Sequence, residues 1–190
     1  MMDRLKELER AAQDAEEELF ASQCRRLERE YQKKEYRKEA VDSFAQLFSQ
    51  AVDEKKEVSW MGICYLHTSL QTGSHEFRLS LYDEEFFFDP VPAELYWRPS
   101  CFFECFEEDM ESVMTVLRRQ YPRIWRYEEE AVRRVCVEYY YAAIRQLCFD
   151  LAGEIMETEA FQKAVKAENF TAFFGRYQGE GEILWRMKEK

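Results

Sequence analysis

Histidine is scarce in this chain: His67 and His75 are the only two, eight residues apart. A zinc-type site needs imidazoles converging with each other, or with cysteines and carboxylates, at ligand distance. In the strand register developed below, His67 faces Ser80 and His75 lies beside a turn, so the two do not converge. No HExxH pair and no CxxC pair is present. An enzyme built here would use His67 with Ser69, Arg78 and Ser80, but roles follow only from convergent geometry. The sequence assigns no catalytic residue, no metal and no cofactor.

Cysteine offers little more. Cys24, Cys64, Cys101, Cys105, Cys136 and Cys148 are scattered. Cys64 stands three residues from His67 but on the opposite face of a strand, and Cys101 and Cys105 share a helical face with no histidine nearby. A reactive thiol needs an electropositive setting, whereas this neighbourhood is acidic. Buried, reduced thiols are the expectation. No GxSxG elbow occurs, and Gly62, Gly73 and Gly153 form no phosphate-cradling loop.

The carboxylates and aromatics carry more information. Between Val58 and Asp109 lie ten acids and only two bases, Arg78 and Arg98. Glu104, Glu108 and Glu111, with Glu107, recur at helical spacing. Each like-charged contact costs about 0.2–0.5 kcal/mol, little enough for a solvated face to carry. The functional reading of Glu104, Glu108 and Glu111 is a docking stripe for a basic partner. Tyr96-Trp97-Arg98, in a proline-punctuated loop from Asp89 to Ser100, combines residue types enriched at interface hot spots and is expected to be an exposed recognition element. Phe86-Phe87-Phe88 cannot send all three rings to one side of a strand. Either a helix covers Phe87, or it lines a pocket with Tyr65, His67, Arg78 and Tyr82.

These residues must be positioned by regular elements. The first glycine is Gly62 and the first proline Pro90, and the first fifty-odd residues are rich in Glu, Lys, Arg, Ala and Leu. That composition predicts one long helix or two in tandem, the second opening near a Ser43–Gln46 capping box. Leu5, Leu8, Ala12, Ala15 and Leu19 form a short heptad-like stripe, compatible with homodimerisation through residues 2–52. From Val58 the period becomes two. A turn at Gly73-Ser74 sets Leu70, Thr68 and Leu66 opposite Phe77, Leu79 and Leu81. A second turn at Asp83-Glu84 sets Phe86 and Phe88 opposite Leu81 and Leu79, completing a three-stranded antiparallel meander. The following pattern predicts a helix burying Phe102, Phe106, Met110, Val113 and Leu117, ended by Pro122. A wide-faced helix then opens at Glu128-Glu129-Glu130, helical pattern runs on to about Phe174, and residues 182–187 form a short closing strand.

The fold class read from these patterns is α+β: a small antiparallel β-meander packed against several α-helices, helix-rich, with a long N-terminal helical segment. Residues 1–57 form that segment and 58–190 the α+β domain, or the two are one continuous domain.

A net charge of -11 and a pI near 4.9 argue against direct nucleic-acid binding and against an anionic membrane surface. No apolar run has transmembrane length, and Met-Met-Asp-Arg-Leu-Lys-Glu lacks a signal peptide's apolar core, so a cytoplasmic location is expected. The leading functional reading is a non-enzymatic protein-interaction or adaptor protein that meets a basic protein partner with an acidic-aromatic surface. One alternative is a small-molecule-binding regulator or sensor with a pocket between sheet and helices. Another is an acidic inhibitor of a nucleic-acid-handling protein.

Overall fold

The breaker-free start of the chain builds two helices in tandem, α1 (Met2–Tyr31) and α2 (Lys34–Glu54). They part at Gln32-Lys33, where the Lys33 N–H donates to the Glu30 carbonyl at 3.0 Å. The break falls earlier than the capping-box signal suggests: Ser43 lies inside α2, and its hydroxyl donates back to the Glu39 carbonyl. The computed structural model describes residues 2–86 and 93–187. The chain divides into two compact units, each made of two separated stretches. A helical unit comprises Met1–Lys33 with Pro99–Ile144, and a sheet unit comprises Lys34–Arg98 with Arg145–Lys190.

In the helical unit, α1 packs on α4 (Ser100–Gln120) and on the first part of α5 (Arg126–Asp150). Phe102, Phe106, Met110, Val113 and Leu117 of α4 are all buried, as their spacing predicts. Leu8, Ala12 and Leu27 are the buried apolar residues of α1, while Leu5, Ala15 and Leu19 are only half-buried. Phe20 of α1 meets Tyr139 and Tyr140 of α5, with ring centroids 5.5 and 5.1 Å away. The start of α5 is fixed by Glu128, whose carboxylate accepts from the Trp125 backbone N–H at 2.8 Å and pairs with Arg4 of α1 at 2.8 Å. A carboxylate here satisfies an orphan N–H and complements the helix dipole.

The sheet unit contains β1 (Val58–Tyr65), α3 (His67–Thr72), β2 (Phe77–Tyr82), β3 (Ala93–Trp97), α6 (Ala152–Glu157), α7 (Glu159–Lys163), β4 (Lys166–Arg176) and β5 (Gly181–Arg186). The strand order is β3-β2-β1-β4-β5. β1 to β3 form the expected antiparallel meander, and β5 the expected closing strand. The sheet as a whole is mixed, because β4 joins it parallel to β1. One sheet face carries Met61, Ile63, Phe77, Leu79, Leu81, Trp97, Phe170, Ala172 and Phe174, all buried. Phe44 and Phe48 of α2 and Phe161 of α7 close this face against Trp97, Phe170 and Trp185. Each such buried ring contributes roughly 1.5–3 kcal/mol.

Three local readings are corrected. The residues between β1 and β2 are not a two-residue hairpin: they wind α3, which Gly73 ends in the left-handed conformation at φ 72°. Helix formation there pulls Leu66, Thr68 and Leu70 out of the ladder, so Leu81 and Leu79 face Met61 and Ile63 instead. The third strand is Ala93–Trp97, within the segment expected to be a loop, and not the Phe86–Phe88 run; Ala93 sits opposite Leu81. Phe87 and Phe88 lie outside the described residues. The segment read as helix up to Phe174 becomes β4, whose Phe170, Thr171 and Ala172 fit a central strand buried on both faces.

Candidate functional site

The second face of the sheet is built differently. It presents Trp60 and Cys64 from β1, Arg78, Ser80 and Tyr82 from β2, Glu94 and Tyr96 from β3, Thr171 and Phe173 from β4, and Ile183 from β5. Among the described residues, the ring that lies over this face is Phe86, from the turn after β2. Phe86 stacks on Tyr82 (centroids 4.7 Å, 29° between planes) and meets Trp60 edge-on at 5.6 Å and Phe173 at 5.6 Å. It adopts this place at φ 60°, a left-handed conformation uncommon for a bulky residue.

Gly62 forms the floor beneath the rings. A Cβ there would stand 2.7 Å from Phe173 Cζ and 3.1 Å from Tyr82 Cε2, so only glycine admits both rings against the strand. Tyr82 is closed off, while Trp60, Phe86 and Phe173 are half-buried, Ile183 is exposed, and Tyr96 is 52 % exposed. Burial pushes the Tyr82 phenol up to about 12, with the Ser80 hydroxyl working against that shift. Burial likewise pushes the Cys64 thiol up to about 12 despite the opposing charge of Arg78. Neither group is set up as a nucleophile or base at neutral pH.

Arg78 lies across this face between two partners. Its guanidinium pairs with Glu94 and sits 4.5 Å from the centroid of the Tyr177 ring. The acids at the margin are Asp83, Glu84 and Glu85, with Glu84 and Glu85 exposed. Asp83 is also structural, its carboxylate accepting from the Glu85 N–H at 3.0 Å.

The residues singled out in the sequence are thus only partly brought together. Arg78 and Tyr82 share the aromatic face, and Tyr96 joins them. Tyr65 projects to the opposite face, 6.2 Å from Phe174, and His67 opens α3 beyond the end of β1, edge-on to Tyr65 at 6.4 Å. Gly62, not His67, stands opposite Ser80. Trp97 is buried against Phe44 and Phe77, which leaves Tyr96 and Arg98 as the exposed members of their triplet. Phe87 falls outside the described residues. In the helical unit Glu104, Glu108 and Glu111 are all exposed on α4, and Glu108 is paired with Arg26 of α1.

Two features escaped the sequence reading. Trp60, Phe173 and Phe86 could be grouped only once β4 was known to lie beside β1. The second is Glu16 of α1, an acid that the sequence pattern does not single out: it is fully buried, and neither of its carboxyl oxygens has a hydrogen-bond partner. Among the described residues no cluster of three or more His, Cys, Asp or Glu side chains is arranged to hold a metal, and no helix is long and apolar enough to cross a membrane. No protein-family model, curated protein or solved structure matches this chain.

Proposed function

We propose that this chain is a non-enzymatic interaction protein whose docking surface is the aromatic face of the sheet, and that its partner presents basic side chains. The observation that carries the reading is the Trp60–Phe86–Tyr82–Phe173 cluster, in which Trp60, Phe86 and Phe173 remain half-exposed beside the exposed Glu84 and Glu85. A guanidinium or ammonium group over such rings gains about 0.5–2 kcal/mol, more as it is desolvated. Tyr96 and Ile183 extend the apolar contact on either side. The net charge of -11 favours approach of a basic partner. On the helical unit, Glu104 and Glu111 offer further exposed carboxylates for the same kind of partner.

The test is a titration of isotopically labelled protein with an (Arg-Gly)6 peptide at 0.15 M NaCl. Supporting behaviour is a saturable shift of the Trp60 indole resonance together with Tyr96 and Ile183 signals, weakened by Tyr96→Ser and by Trp60→Ala. Shifts spread evenly over all acidic surfaces, or unchanged in both variants, would remove the aromatic face from the proposal.

A further inference from the structure

The chain is acidic as a whole, but one stretch runs against that charge. Residues 112–127 contain no acid and four arginines, and the last ten of them read Arg-Arg-Gln-Tyr-Pro-Arg-Ile-Trp-Arg-Tyr. The structure gathers them at one end of the helical unit. Arg118 and Arg119 occupy the last turn of α4, Arg123 and Trp125 the connection, and Arg126 and Tyr127 the first turn of α5. Arginines in a last turn complement the helix dipole, and that alone accounts for Arg118 and Arg119. It does not account for the connection.

There the backbone is held and the side chains are presented. Arg4 of α1 stacks on the Tyr121 ring at 5.8 Å, donates to the Arg123 carbonyl and pairs with Glu128. Glu128 in turn holds the Trp125 N–H at 2.8 Å. The turn is therefore tied at three points, and Glu128 is used up in tying it. Trp125, however, stays 51 % exposed and Tyr127 48 % exposed, large rings for which folding finds no place. The Arg123 guanidinium lies 5.1 Å from the Trp125 centroid, and Arg126 reaches Glu130 from a side chain that is 90 % exposed. A rigid turn offering Trp, Tyr and several Arg meets the requirements of an interface hot spot, because little ordering cost remains to be met on binding.

We infer that this turn is a second docking surface, and that its occupant is an acidic segment of a partner protein. The arginine forks match carboxylates in pairs, and Trp125 and Tyr127 supply the apolar anchor between them. Phosphate would suit the same forks, but a polynucleotide would bring dense, long-range negative charge against a chain of net charge -11. Glu129 and Glu130, on the first turns of α5, would also face its backbone. A short acidic peptide, with fewer and more widely spaced charges, incurs less of both penalties. With the aromatic sheet face turned to a basic partner, the chain carries two docking surfaces of opposite preference.

The experiment measures fluorescence anisotropy of the full chain with two labelled probes at 0.15 M NaCl: a twelve-residue peptide of Glu and Asp interspersed with Leu, and a dT12 oligonucleotide. The expected result is saturable binding of the acidic peptide, weakened at least tenfold in the double variant Arg119→Glu/Arg123→Glu and in Trp125→Ala, and unchanged in Arg176→Glu. All the altered arginines are exposed, so the double variant retains its fold, which circular dichroism verifies. No binding of the peptide, equal binding by the variants, or tighter binding of dT12 would each overturn the inference. So would concentration-dependent self-association in sedimentation that disappears in the double variant, since a second copy would then be the occupant.

Discussion

The Tyr140 hydroxyl of α5 donates to Asp109 Oδ2 of α4 at 2.6 Å, with both side chains closed off from solvent. The other oxygen, Oδ1, accepts from Gln23 Nε2 of α1 at 3.1 Å. One buried acid thus links all three helices of the helical unit. Burial, with the Asp109 hydrogen bond as the next cause, holds the Tyr140 phenol strongly protonated. Tyr140 acts here as a donor and has no role as a base.

Tyr140→Phe removes that donor and keeps the ring contacts with Phe20 and Phe106. A hydrogen bond to a charged acceptor is worth about 1.5–3 kcal/mol, and losing it leaves Asp109 with Gln23 alone. The variant is expected to fold, with a urea midpoint lowered by a loss of that size at unchanged m-value. A loss below about 0.5 kcal/mol would mean that water or another group replaces the phenol.

Glu16 faces the same interior, and its carboxyl is pushed up to about 8, first by burial and second by the charge of Asp109. Cys136, Tyr139 and Tyr140 of α5 are its other titratable neighbours, with Arg133 acting on Cys136. Arg133 is itself engaged with Glu107. The folded value is raised, so the contribution to stability is full below the ordinary carboxyl range. It declines as the pH rises from about 4.5, where only the unfolded chain gives up the proton, and is gone above about 8. The slope within this window is at most about 1.4 kcal/mol per pH unit. Glu16→Gln should flatten it and leave the protein more stable than wild type at pH 9. Denaturation midpoints at pH 5.5, 7 and 8.5 compare the two, and parallel pH profiles would show that Glu16 does not titrate in this window.

Burial raises the pKa of every thiol in this chain. Cys64, Cys101, Cys105, Cys136 and Cys148 are buried, and Cys24 is half-buried beside the negative charge of Glu28. Thiolate is the reactive form, so native protein at pH 7.5 should react slowly with a disulfide reagent, Cys24 first. In denaturant all six should react at once. Rapid labelling of a buried thiol in native protein would reveal local opening of its unit.

Where local periodicity decides the structure, the sequence was readable. Phe102 to Leu117 gave α4 its buried face, and a helical N-terminal segment, as one helix or two, followed from the missing breakers, though not the place of its break. What depends on distant partners was not. Leu66 to Leu70 alternate as a strand would, yet α3 forms there, where β1 has already paired with β2 and β4 through Tyr65. β4 reads as helix in isolation and becomes strand because β1 and β5 supply its hydrogen bonds. The aromatic face suffered the same limit: Tyr82 and Arg78 were legible from alternation, but Phe173 lies more than a hundred residues from Trp60, and only the parallel pairing brings it there. Glu16 was not legible because the heptad-like stripe continues from Leu8 and Ala12 to Ala15, while the buried face of α1 passes through Leu8, Ala12 and Glu16.

That pairing supplies the sharpest mutational probe of the candidate site. Gly62→Ala places a methyl group 2.7 Å from Phe173 Cζ and 3.1 Å from Tyr82 Cε2, inside van der Waals contact with both. The φ of Gly62 is not in the left-handed region, so the backbone accepts alanine and the effect comes from the rings alone. Both rings must tilt away from the sheet, and Phe86, stacked on Tyr82, must follow. Overpacking of this kind costs about 1–3 kcal/mol. The structural consequence is local: the near-ultraviolet circular dichroism of the aromatic cluster and the Trp60 indole resonance should change, while far-ultraviolet helix content and the Trp125 resonance stay as in the wild type. Binding of the (Arg-Gly)6 peptide should fall in parallel if the ring arrangement is what recognises the cation. A G62A protein that keeps its Trp60 signal and its affinity would show that the rings do not rest on Gly62 in solution.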